Sequence, residues 1–320
     1  MLKNAECCIT TSEAMTEYFN KKLGINCIEV MPPLKKVNFV SSKTKKEKDK
    51  FVIAMSGQVY SQDELEALFL ALDSMSWKIG DKNIYFEHYG SWYNSQDFIN
   101  EREKYKDRII CHGFVHQSML LSYLSNADLL YCPYFFSKDK ALKKVSELSF
   151  PSKLITYLSL DVPVLMHGPN YASPVKFLEK YNAGYVITSD NPNDIAKKLT
   201  NIASLNSKEI LINARKVFES NFTYEVVKNN FFKALNIGYD NEKKLHILEV
   251  NNVDLSGRRF NGYDLLEEIN TTTNNQARQI VVYKSSDNDD VKTFYPNNRG
   301  ISLDWTLIDN EQKELSVHSQ

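Results

Sequence analysis

From Phe51 onward the chain alternates short apolar runs with amphipathic stretches, and that alternation constrains its fold more than any other feature. Phe51-Val52-Ile53-Ala54-Met55 reads as a buried strand and Ser56-Gly57-Gln58 as a turn. Asp63 to Met75 follows as a helix carrying Leu65, Leu68, Phe69 and Leu72. Further strands are expected at Ile84 to Tyr89, Arg108 to Cys111, Leu129 to Cys132, Val164 to Met166 and Tyr185 to Ile187. Helices are expected between most of them, at Gln117 to Leu124, Ser152 to Leu160, Pro174 to Tyr181, Asn193 to Ala203 and Ser207 to Phe218. Strand and helix in alternation predict an α/β fold with a doubly wound parallel sheet, whose ligand lies beyond the carboxyl ends of the strands.

Within this pattern Phe150 to Gly168 is the densest block. Proline and serine precede an apolar-periodic run, Leu154, Tyr157, Leu158 and Leu160, which Asp161 and Val162-Pro163 end. Val164-Leu165-Met166 then fits a strand buried on two sides. A loop that feeds a helix N-terminus, with Lys153 beside it, suits an anion. Free backbone N–H groups and the helix dipole face it there, and the ammonium adds a full charge.

The flanks read differently. Cys7 to Thr10 forms a strand, Ser12 caps a helix from Glu13 to Leu23 that stops at Gly24, and Ile28 to Met31 forms a second strand before Pro32-Pro33. Residues 1–40 therefore look like the close of a domain whose beginning is absent. The run SSKTKKEKDK at 41–50 mixes lysines with acids and reads as a solvated linker. A second domain spans 41–238. From 239 to 320 the pattern restarts, with a strand at Leu245 to Val250, a loop holding Arg258 and Arg259, a helix at Tyr263 to Ile269 and a strand at Gln279 to Tyr283. Two strands and one helix bury little alone, so this portion is expected to be an incomplete α/β unit.

A formal net charge of -1 gives no global pull toward nucleic acid or anionic membrane, so a charged ligand must be held by local charges. Cys7, Cys8, Cys27, Cys111 and Cys132 show no CxxC spacing and read as reduced thiols. The N-terminal MLKNAECCIT lacks the apolar core of a secretory signal, and no window nears the ~18 apolar residues of a membrane span. These features predict a cytoplasmic protein, which partners could bring to a membrane surface.

Several of these stretches resemble a known family. The turn MSGQVYS, the strand RIICHGFV followed by SYLSNADLLYCPY, the block ELSFPSKLITYLSLDVPVLMHGP and the later VKFLEKYNAGYVITSDNPNDIAKKL occur in the order found in the C-terminal, donor-binding half of GT-B glycosyltransferases. That half is Rossmann-like, and the large retaining group it resembles uses nucleotide-activated sugars. CCITTSEAMTEYF resembles the end of the N-terminal half, and LHILEVNNVDLSGRRFNGYDLL the opening of another such half, as in a piece of a tandem glycosyltransferase.

The resemblance implies transfer of a sugar from a nucleotide-diphosphate donor to a glycan, polysaccharide or lipid-linked acceptor. The nucleotide sugar serves as co-substrate, and no metal or other cofactor is needed. It implies donor contacts from Gly57, Gln58, Tyr60, Pro151, Ser152, Lys153 and Thr156, with Glu147 as the catalytic carboxylate. Two departures stand out. Thr156 occupies the position where the family holds the ribose with a glutamate, and the glycine turn lacks the family's arginine and lysine. Lys138, Lys140, Lys143 and Lys144 crowd a stretch read as a solvated loop, from which they could replace that charge. His88, His112, His116 and His167 sit near strand ends and read as structural, and Asp287-Asn288-Asp289 as a solvated turn. A non-catalytic nucleotide-binding or interaction module derived from such an enzyme remains the alternative.

Overall fold

A computed structural model describes residues 8–24, 26–34, 47–59, 61–90, 100, 103–234, 246–253, 263–272, 276–283, 287–293, 304–308 and 314–318. The chain divides into two compact units, Met1–Tyr239 and Asp240–Gln320.

The first unit opens with β1 (Cys8–Thr10), α1 (Glu13–Leu23) and β2 (Cys27–Glu29), and the two strands pair in parallel with Cys8 opposite Cys27. Ser12 caps α1 by accepting from the Met15 N–H at 3.0 Å, and Gly24 ends it in the left-handed region at φ 63°. The hydroxyl of Ser12 also donates to the Leu148 carbonyl, tying this segment to the next layer.

The main sheet comprises β3 (Lys50–Ser56), β4 (Lys78–Ile79), β5 (Lys82–Tyr89), β6 (Ile109–Gly113), β7 (Leu129–Pro133), β8 (Val164–His167) and β9 (Tyr185–Ile187). Its long parallel strands run β6-β5-β3-β7-β8-β9, while β4 pairs antiparallel with the start of β5. Counting from β3, this is the order 3-2-1-4-5-6, which reverses between β3 and β7 and opens a crevice beyond their carboxyl ends. The expected doubly wound parallel sheet is present.

Helices cover both faces. They are α2 (Gln62–Ser74), α3 (Gln117–Ser125), α4 (Lys140–Leu148), α5 (Ser152–Leu158), α6 (Ser173–Tyr181), α7 (Pro192–Ser204), α8 (Lys208–Asn221) and α9 (Tyr224–Ala234). Successive strand residues serve opposite faces, as the pleat requires. Ile53, Met55, Leu129 and Tyr131 pack with Leu65, Leu68, Phe69 and Leu72 of α2. Ala54, Leu130 and Cys132 pack with Leu154, Ile155 and Leu158 of α5. Each fully buried leucine of α2 stabilises by roughly 1.5–3 kcal/mol, so Leu68→Ala costs about 2–5 kcal/mol once the cavity is counted.

The structure corrects two readings here. Lys140 to Lys144 lie on a helix, α4, rather than a loop, because Asp139 accepts from the Ala141 and Leu142 N–H groups at 2.9 Å and caps its start. The helix that begins at Ser152 stops at Leu158, two residues short of the expected end, where the Ser159 hydroxyl caps back onto the Thr156 carbonyl at 2.6 Å.

In the second unit β10 (His246–Val253), β11 (Gln276–Tyr283) and β12 (Val291–Thr293) form a parallel sheet, with α10 (Tyr263–Thr272) between the first two. β13 (Asp304–Ile308) and β14 (Glu314–His318) form an antiparallel pair. The expected pair of strands thus gains a third and a hairpin. Asn288 accepts from the Asp290 N–H at 2.8 Å within the turn before β12, so the acidic run is a turn. Arg258 and Arg259 fall outside the described residues.

Candidate functional site

The crevice beyond β3 and β7 gathers residues that are distant in sequence. α5 wedges against the end of β3 because the Tyr157 hydroxyl accepts from the Ser56 N–H at 2.7 Å and lies 3.2 Å from the Ser56 hydroxyl. This anchoring places Lys153, only 9% exposed, so that its ammonium donates to the Gln58 carbonyl at 3.3 Å. Gly57 turns at φ +84°, and a Cβ there would sit 3.8 Å from Lys153 Cε. After burial, which dominates both shifts, the Lys153 charge helps lower the pKa of His88 on β5 and opposes the rise of that of Cys132 on β7.

The glycine turn is itself held rigidly. The Gly57 N–H donates to the Tyr89 carbonyl at 2.8 Å, and His88 Nε2 donates to the Gly57 carbonyl at 2.8 Å. Gly90, at φ +150°, comes so close that a Cβ there would meet the Gly57 oxygen at 2.6 Å. Only glycine permits that approach. Burial lowers the His88 pKa to about 4, with a smaller contribution from the Lys153 charge, so its ring is neutral at physiological pH.

Next to this, at the ends of β7 and β8, lies a second buried group. Neutral His167, with its pKa lowered to about 4 by burial, donates through Nε2 to the Ser189 carbonyl at 2.9 Å. Its Nδ1 is then the acceptor for the Tyr131 hydroxyl at 2.7 Å, which also lies 3.1 Å from the Glu64 carbonyl oxygen. The Glu64 carboxylate, 3% exposed on the first turn of α2, accepts from the Phe136 N–H at 2.6 Å. Burial pushes its pKa up to about 7, against that hydrogen bond.

The residues expected at the site divide as follows. Gly57, Gln58 and Lys153 come together. Pro151 and Ser152 begin α5, Pro151 buried and Ser152 exposed. Thr156 is 2% exposed, and its hydroxyl has no partner among the described residues. Tyr60 lies outside the described residues. Glu147 sits on the last turn of α4, paired with Lys144 at 2.9 Å, and that hydrogen bond leads the effects holding its carboxyl below the usual range. His88 and His167 have the structural role expected of them, but the contacts of His88 with Gly57 and of Glu64 with Phe136 carry no sequence signal, since they join residues 31 and 72 positions apart.

Comparison with known proteins defines the architecture. A glycosyltransferase from Rickettsia africae superposes with a TM-score of 0.56 at 15% identity, covering 74% of this chain and 65% of that one. Anabaena HepE in complex with UDP gives 0.55 at 13% identity, covering 73% of this chain and 65% of that one. The pneumococcal O-GlcNAc transferase GtfA, in complex with UDP and GlcNAc, gives 0.54 at 12% identity, covering 74% and 46%. The fold is the Rossmann-like GT-B glycosyltransferase fold. This chain spans between 46% and 65% of the length of those structures. No protein-family model and no curated protein sequence matches it.

Proposed function

We propose that this chain is the donor-binding part of a glycosyltransferase, which takes a sugar from a nucleotide-diphosphate donor and passes it to a glycan, polysaccharide or lipid-linked acceptor. The observation that carries the reading is the Lys153 ammonium against the Gly57-Gln58 turn, at the point where the strand order reverses. Departure of a nucleoside diphosphate develops negative charge on phosphate oxygens, and a cation already fixed in a dry crevice stabilises that charge without reorganising. Gly57, Gln58, Ser152 and Lys153 would line the diphosphate, with Tyr60, Pro151 and Thr156 completing the donor contacts. Glu147, kept ionised by Lys144, is the carboxylate offered to the reacting sugar. The UDP bound in HepE and in GtfA supports a nucleotide ligand of this class.

On this reading residues 1–40 belong to the acceptor-side half and residues 239–320 to a further glycosyltransferase-like unit. The described cysteines are free thiols, which supports a cytoplasmic setting, and among the described residues no helix is long and apolar enough to cross a membrane.

Isothermal titration with uridine, guanosine and adenosine diphosphate sugars tests the proposal, and silence across the panel would overturn it. Lys153→Ala is expected to weaken the best ligand by about 1.5–3 kcal/mol, the size of a charge-assisted hydrogen bond. Unchanged affinity would remove Lys153 from the site.

A further inference from the structure

Helix α4 is built inside out. Its apolar residues Ala141, Leu142, Val145 and Leu148 share one stripe at i, i+3 and i+4 spacing, the stripe that an ordinary surface helix turns toward the core. Here Leu142 is 51% and Val145 48% exposed. The helix is held instead by its other side. Ser146, fully buried, donates to the Phe135 carbonyl at 3.1 Å, Lys143 lies over the Tyr171 ring at 4.7 Å, and Lys144 over Tyr18 at 4.1 Å.

The charges at the start of the stripe are mainly positive, and Glu147 in the last turn is paired with Lys144. From Ser137 to Lys144 the chain carries four lysines and one aspartate, and that aspartate is occupied as the helix cap. Lys138 and Lys140 are exposed and form no ion pair among the described residues. Two aliphatic side chains that project from a fixed helix, bordered by long lysines at its dipole-positive end, match an anionic lipid surface. The aliphatic groups enter the acyl boundary while the ammonium groups stay among the headgroups.

We propose that the outward face of α4, with Leu142 and Val145 flanked by Lys138 and Lys140, docks the protein on an anionic bilayer. α4 follows β7, so docking there would set the mouth of the crevice against the membrane. The inference does not depend on the proposed activity.

Co-sedimentation of the full chain with vesicles tests it. Equimolar phosphatidylglycerol and phosphatidylcholine should pellet the protein, pure phosphatidylcholine should not, and added salt should release it. Lys138→Glu with Lys140→Glu, and separately Leu142→Ser with Val145→Ser, should each lower partition by about tenfold or more, at roughly 1 kcal/mol for each lysine near the surface. Circular dichroism of each variant confirms its fold, and the lysine pair is exposed enough to be changed safely. Equal partition to both vesicles, no partition to either, or variants that partition like the parent overturns the proposal. So does a Leu142→Ser/Val145→Ser variant that loses only self-association in sedimentation velocity, because the stripe would then cover a second copy of the chain.

Discussion

Glu64→Gln separates the cost of a buried charge from the value of its hydrogen bond. The Glu64 carboxyl has an ordinary pKa of 4.5 and reaches about 7 in the fold, mainly through burial, with Asp63 and Asp190 adding to the effect. Between those values the folded chain holds a proton that the unfolded chain has released, so stability falls as pH rises through the window and is level above it. At about 1.4 kcal/mol per pH unit the full span amounts to roughly 3 kcal/mol. Glutamine stays neutral throughout and keeps an Oε1 to accept from the Phe136 N–H. Urea unfolding of both proteins, followed by far-ultraviolet circular dichroism from pH 5 to 8, reads the difference directly, because every other titrating group cancels. Glutamine should gain about 2.5 kcal/mol on the parent over that range. A difference independent of pH, or a glutamine protein weaker at pH 8, would refute the reasoning.

Two further outcomes follow from the same crevice. His88 and His167 have ordinary pKa values of 6.5 and folded values of about 4, so below pH 6.5 the unfolded chain takes up protons that the folded chain refuses. Stability should therefore drop as pH falls toward 4, and His88→Gln should flatten this limb by about 1.4 kcal/mol per pH unit in the same urea assay; an unaltered slope counts against a buried neutral His88. Gly90→Ala forces a methyl onto the Gly57 carbonyl oxygen and should cost on the order of 1–3 kcal/mol in thermal unfolding while weakening nucleotide-sugar binding. An alanine protein that melts and binds like the parent shows that the approach can relax.

The layered sheet was legible because the continuous apolar runs of β3 and β7 and the near-3.6 spacing of α2 are written in the chain. What periodicity does not carry is which strands become neighbours. The meeting of Lys153 with Gly57 depends on β3 lying beside β7, and alternation alone leaves that order open. α5 shows another limit. Its lysine and threonine suggest a solvated face opposite Leu154 and Leu158, yet Lys153, Ile155 and Thr156 are buried as well, because the helix is enclosed on all sides. α4 was misread for the opposite reason, since its lysine density outweighed both the apolar stripe and the Asp139 cap signal that marked a helix. Tyr134 to Ser137 gave no sign of a tether to α2, because a backbone N–H can donate to any carboxylate the fold brings to it.

Under the proposed function Thr156 and the cation-free turn weigh against donor binding, and the hydrogen bonds around the turn answer part of that objection. An anion is repelled by carbonyl oxygens that point at it unpaired. The Gly57 oxygen is bound by His88 Nε2 and the Gln58 oxygen by the Lys153 ammonium, so both successive carbonyls of the turn are occupied by buried donors. An ammonium has three N–H groups, and Lys153 gives one of them to the Gln58 carbonyl. Under the proposed function, the lysine that sets the loop is also the cation offered to the diphosphate. Under that reading a turn whose carbonyls are already bound asks less of a second cation than an open glycine loop does, and His88, buried beneath it, acts as a support for the turn.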